Sequence, residues 1–166
     1  MLQPLKSNSG RPTVIDLVKN VGVNLLPVGR LDMFTSGALI LTNDGDFIYK
    51  VTHPKNEVEK TYNATVRGIV SNEDVIKLQN GVEIEDYISG KAKVKILKTD
   101  VEKNISRLQI TIHEGKNKEV RKMCTAIGHN VIALHRAKIG SISVKDLELG
   151  KWRYLTDEEV KNFKFR

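Results

Sequence analysis

The chain has a single cysteine, Cys124. No internal disulfide can form, and stability must come from packing. No apolar run approaches the roughly 20 residues that cross a bilayer, so no membrane partner is expected. The opening MLQPLKSNSGRP has no apolar core of signal-peptide length. A reducing cytoplasm is the expected compartment. The four histidines, His53, His113, His129 and His135, are scattered, and neither HExxH nor CxxC spacing occurs. No metal is expected. No glycine-rich phosphate-binding motif appears, so no nucleotide cofactor is expected either. Internal repeats and low-complexity tracts are missing.

What is present is positive charge. Lys plus Arg outnumber Asp plus Glu by 27 to 20, a net +7 with a pI near 9.5. Such a balance favours polyanions as partners, RNA among them. The length, 166 residues, fits one domain, 1–166, with a core of useful size.

Pattern along the chain predicts α+β. After a flexible lead to Arg11, Val14, Leu17, Val18 and Val21 recur at helical spacing, and Gly22 can end that helix. Strands are expected at 25–28 and over the apolar run Ala38–Leu41, on either side of a short polar loop, with an Asn-Asp-Gly turn at 43–45. A short helix is expected from Asp46 to Lys50. Lys60 to Val66 reads as a strand with Tyr62, Ala64 and Val66 on one face. Ser71 reads as the N-cap of a helix that ends near Gly81. Further strands are expected at 82–85, 90–99 and 106–113, with a turn at 100–104. The clearest helix runs from Asn117 to Ile127, with Val120, Met123, Cys124 and Ile127 as its apolar stripe. Strands at 131–138 and 152–155 and a terminal helix capped by Thr156 and Glu159 complete the reading. Strands do not alternate regularly with helices, so a mixed, largely antiparallel sheet with flanking helices is expected, not a doubly wound fold.

The chain is organised around Gly29 to Gly45, GRLDMFTSGALILTNDG. Arg30 and Asp32 sit in a polar loop between two strands, where a rigid scaffold can fix a reactive group. On spacing alone, a solvated loop Asp is the commoner case. A second cluster, His113 to Met123 (HEGKNKEVRKM), joins a strand end to a helix start and carries Lys116, Lys118, Arg121 and Lys122. Such amides and cations suit phosphate, although charge alone fits a solvated basic face equally well.

Both stretches resemble the RsuA/RluB branch of the pseudouridine synthases. The first matches Gly-Arg-Leu-Asp, two variable residues, Thr-Ser-Gly, an apolar run and Thr-Asn-Asp-Gly, with Ala38 where Leu is more usual. The second matches at Glu114, Gly115, Lys116, Asn117, Glu119, Val120, Arg121, Lys122 and Met123. A looser likeness covers Ala133 to Thr156. The resemblance implies a pseudouridine-synthase-like α+β fold and isomerisation of uridine in ribosomal RNA to pseudouridine, without a cofactor. It implies Asp32 as the catalytic residue, Arg121 as the cation that pairs with it, and Tyr62 stacked on the target base. It also implies RNA-facing roles for Arg30, which holds the opened strand, and for Thr35, Lys60, Lys116, Asn117, Lys118, Lys122, Leu134 and Arg136. Leu134 reads equally as core. Two roles fit Asp32: attack on the sugar, or removal of a proton from C2′. These enzymes usually carry a small N-terminal RNA-binding domain and a further strand before the Gly-Arg-Pro-Thr segment, and only a few residues precede Gly10 here. That keeps a second reading open, a non-catalytic RNA-binding or ribosome-assembly factor on the same fold. A monomer is expected.

Overall fold

A computed structural model describes residues 14–116 and 118–163. The expected lead, Pro12 and Asn117 lie outside the described residues. The described chain divides into two compact units. One holds the residues up to Val58 and those from Ala137 onward, and the other holds Glu59–Arg136.

In the first unit, helix α1 (Val14–Val18) continues as a 3-10 turn, Lys19–Val21, and ends at Gly22 with φ +87. A glycine accepts that left-handed backbone without penalty. Strand β1 (Leu26–Pro27) then pairs antiparallel with β3 (Leu41–Thr42), with β2 (Thr35–Gly37) between them in sequence. The ladder is shorter than the apolar run predicts. Pro27 has no N–H to donate, although Val28 adds one bond to the Ile40 carbonyl at 2.8 Å. Helix α2 (Gly45–Thr52) begins where a turn was expected. The Asp44 carboxylate accepts from the amides of Asp46 and Phe47, so the Asn-Asp-Gly segment serves as a helix cap.

The second unit opens with β4 (Lys60–Arg67), followed by α3 (Asn72–Asn80). Ser71 is the N-cap that the sequence predicts, and with Asp74 it forms a reciprocal capping box. A small hairpin, β5 (Glu83–Ile84) and β6 (Tyr87–Ile88), leads to β7 (Lys93–Asp100) and β8 (Ile105–Ile112). Strand β8 lies antiparallel between β4 and β7, in register Tyr62↔Ile110 and Val94↔Ile110. Helix α4 (Glu119–Ala126) starts two residues later than predicted, with Lys118 as its N-cap at φ +53. Strand β9 (Val131–Ile139) lies beside β4. The core of this unit joins Ala64, Val66, Leu108, Ile110 and Ile112 of the sheet to Leu78 of α3 and to Val120, Met123 and Cys124 of α4. Period-two strands and a helical stripe thus meet on one apolar face. Cys124 is fully buried, and burial pushes its thiol up to about 12. It is packing, as expected.

The chain then returns to the first unit. Strand β10 (Ile142–Ser143) pairs with the end of β9, and helix α5 (Asp157–Lys161) is capped by Thr156 and Glu159. The strand expected at 152–155 does not form. Trp152 and Tyr154 are exposed, and Arg153 instead grips Glu159 through two bonds of 2.8 Å. Side-chain bonds to α5, not a ladder, hold this stretch. The second core gathers Val28, Ala38, Ile40, Val51, Val58, Ile139 and Ile142.

Candidate active site

Three of the predicted residues share one loop of the first unit. Leu31 is 4% exposed and Thr35 is 3% exposed, so the loop is pinned into the core at both ends. Between them the chain turns, and the Thr35 amide donates to the Asp32 carbonyl at 3.0 Å. Asp32 is half-buried at the start of this turn, and Arg30 is exposed before it. Thr35, expected to face RNA, instead lies inside as an anchor. Its hydroxyl is buried without a hydrogen-bond partner among the described residues. A carboxylate on a loop fixed in this way suits work that needs exact placement of one oxygen. An apolar groove of about 440 Å³ in the same unit is lined by Leu17, Leu25, Ile40, Trp152 and Tyr154, and Asp32 does not line it.

The second unit holds the rest. On β4, Lys60 and Tyr62 project to the same face as Ala64 and Val66, by two-residue alternation. Thr61 faces the other way and pairs its hydroxyl with Thr111 at 3.0 Å. Tyr62 is half-buried and packs against the core. On β9, Leu134 and Arg136 are both buried, and Leu134 belongs to the core cluster. Of its two readings, core is the one this placement fits. Burial, and then the nearby Arg136, lower the Lys60 pKa, while Glu119 acts in the opposite sense. Two cations and an acid therefore feel one another at the end of an otherwise apolar face. Arg121 is half-buried on the first turn of α4.

The basic cluster is less uniform than its sequence suggests. Lys118 is exposed. Lys122 reaches Glu85 at 3.3 Å. Lys116 lies over the Tyr87 ring, 3.8 Å from its centre, and 3.7 Å from Glu114. Sequence reasoning missed the acids among these cations. Glu119 is 3% exposed, and burial, with Glu114 alongside, pushes its carboxyl up to about 8. Glu114 is held below the usual range despite its burial, by the acid of Glu119 beside it, by the hydrogen bond from the Gly90 amide and by Lys116. The available signal was an acidic residue next to Val120 on the inward stripe of a helix. Charge counting alone hides it.

Among the described residues, no group of three His, Cys, Asp or Glu side chains is placed to hold a metal ion. No helix among them is long and apolar enough to cross a membrane.

Comparison with known proteins adds the lineage. The family described as RNA pseudouridylate synthase matches residues 11–126. The ribosomal large subunit pseudouridine synthase B of Bacillus subtilis is 43% identical over 164 residues, covering 99% of this chain and 67% of that protein. The ribosomal small subunit pseudouridine synthase A of Vibrio cholerae is 36% identical over 152 residues, covering 89% of this chain and 63% of that protein. A crystal structure of a pseudouridylate synthase superposes with a TM-score of 0.83 at 32% identity, over 95% of this chain and 68% of that one. The chain spans roughly two thirds of the length of these relatives. With a family match across most of its length and this identity to a full-length relative, the chain belongs to the RNA pseudouridylate synthases.

Proposed function

We propose that this chain converts uridine to pseudouridine in ribosomal RNA, with large-subunit RNA as the substrate and Asp32 as the reacting carboxylate. The observation that carries the reading is the Asp32 loop, anchored by Leu31 and Thr35, within a chain 43% identical to a large-subunit enzyme. The small-subunit relative is less similar, at 36%.

The chemistry is a balanced isomerisation. The bond between uracil N1 and ribose C1′ breaks, the base turns, and C5 bonds to C1′. The C5 proton is then lost and N1 gains one. Breaking the glycosidic bond builds positive charge on the sugar, and a carboxylate on that side stabilises it. Asp32 acts either as the nucleophile at C1′ or as the base at C2′. Arg121 is assigned the role of holding the carboxylate in its charged form, since a neighbouring guanidinium favours the anion. Tyr62 is assigned the uracil face, and Arg30 the opened strand, because the target base must leave its stack. We read the enzyme as a cytoplasmic monomer.

The test is release of tritium from [5-³H]uridine in large-subunit and small-subunit rRNA transcripts. Wild-type protein should release it from the large-subunit transcript. Asp32→Asn should release none while still binding RNA. Full release by Asp32→Asn would remove that residue from its role. Salt-dependent RNA binding by wild-type protein with no release from either transcript would favour the non-catalytic reading.

A further inference from the structure

Between its two buried anchors, the Asp32 loop carries an apolar residue outward. Phe34 is 73% exposed. It occupies the third position of the turn closed by the Thr35 amide and the Asp32 carbonyl. Turn tips are normally built from Gly, Asn, Asp or Ser. An aromatic ring there leaves much of its apolar area in water, an arrangement that commonly marks a binding surface. Other large side chains are equally exposed, Tyr154 at 71% and Val101 at 76% among them. Phe34 differs from them in its position. It lies two residues from the reacting carboxylate, on a turn whose ends cannot move freely because Leu31 and Thr35 are buried. The exposed Arg30 lies two residues to the other side. The loop thus presents a cation, a carboxylate and an aromatic ring in succession, with its aliphatic residue turned inward.

We propose that Phe34 stacks on the nucleobase next to the uridine that is flipped toward Asp32. When one base leaves a strand, its neighbour loses a stacking partner, and an aromatic side chain replaces it at little conformational cost. Stacking of this kind accepts any base but favours those with larger faces. Phe34 therefore contributes to choice of site through the flanking nucleotide and not through the uracil itself. The inference rests on the RNA-modifying reading above and adds to it a residue outside the matched motif positions.

Two measurements test it. The first is tritium release from the large-subunit transcript by Phe34→Ala, Phe34→Leu and Phe34→Trp. Removing one stacking platform should raise KM by about tenfold in Phe34→Ala, with a smaller change in kcat. Phe34→Leu should resemble Phe34→Ala, and Phe34→Trp should stay within about threefold of wild type. The second is fluorescence of Phe34→Trp titrated with a short oligouridylate at low salt, with the wild-type signal of Trp152 as background. Stacking should quench the added indole. If Phe34→Leu restores full activity, or if the indole at position 34 is not quenched on saturation, the proposal fails. The quenching does not depend on turnover. If wild-type protein leaves rRNA unmodified, the rRNA reading fails by itself, and the fluorescence still decides whether Phe34 meets a base.

Discussion

Glu119 is buried beside Glu114, acid against carboxylate, at the first turn of α4. Neither carboxyl oxygen of Glu119 has a hydrogen-bond partner among the described residues, so the charged form is disfavoured there. The proton resolves this conflict, and the folded state therefore holds Glu119 protonated up to about pH 8. The unfolded chain releases that proton near the ordinary Glu value of about 4.3. Because the folded-state value is raised, the contribution is fully present below the unfolded value and is lost as pH rises through about 8. Thermal unfolding should show Tm falling between about pH 4.3 and about pH 8 and levelling off above it. Glu119→Gln keeps a donor toward Glu114 and cannot ionise, so its Tm should be flatter over the same range and higher than wild type above pH 8. A wild-type profile that rises toward alkaline pH would contradict the pairing.

His129 ties three parts of the second unit together. One ring nitrogen lies 2.7 Å from the Arg67 carbonyl, and the other lies 2.9 Å from the Asp74 carboxylate. Both are acceptors, so only the doubly protonated ring satisfies both bonds. Asp74 is held below its ordinary value by hydrogen bonds from Ser71 and His129, against the opposing effect of burial. Its contribution is present above the unfolded pKa and is lost as pH falls through the lower folded value. Asp74→Ala should cost about 2 kcal/mol in urea unfolding at neutral pH, because it also removes half of the α3 capping box. A double-mutant cycle with His129→Ala should show coupling. Gly68→Ala offers an independent check. Gly68 has φ +89, and an added Cβ would lie 2.8 Å from the His129 Nδ1. Backbone strain and a clash coincide there, so destabilisation of more than about 1 kcal/mol is expected.

What the sequence made legible was whatever depends on period or on local capping. The faces of β4 and β8, the stripe of α4 and the caps at Ser71 and Thr156 all followed from residues within a few positions of one another. The Asp32 loop was legible because both its anchors and its turn lie inside one short motif. Glu114, Glu119 and Tyr87 were not legible, because what makes them unusual is burial beside one another, and the residues concerned come from a strand end, a helix start and a hairpin. The missing strand at 152–155 has the same origin. Alternation in Trp152–Leu155 is genuine, but Glu159 offers Arg153 a bidentate partner that no local pattern reveals.

The ion pair between Lys122 and Glu85 bears on RNA affinity. Glu85 is exposed and offsets one charge of the basic cluster. If the cluster meets phosphate, Glu85→Gln should tighten binding of an rRNA fragment, and Lys118→Ala should loosen it. Removing one cation from a phosphate should also reduce the salt dependence of log K by about 0.7 for a single strand. Filter binding across a salt series measures both. Equal, salt-independent changes in the two variants would show that the cluster does not meet phosphate.

Tyr62→Phe separates two steps of the proposed reaction. The ring is half-buried against the core, so the phenylalanine variant keeps its packing and should fold with nearly unchanged Tm. It removes only the hydroxyl. If that hydroxyl assists loss of the C5 proton, cleavage at N1 should proceed while the final proton transfer slows and becomes rate-limiting. Substrate deuterated at C5 should then show a primary isotope effect with Tyr62→Phe that wild-type enzyme lacks. Asp32→Asn should block the earlier bond cleavage and give no product with either isotope. An isotope effect of equal size in wild type and Tyr62→Phe would assign the late proton transfer to another group and leave Tyr62 as a stacking surface alone.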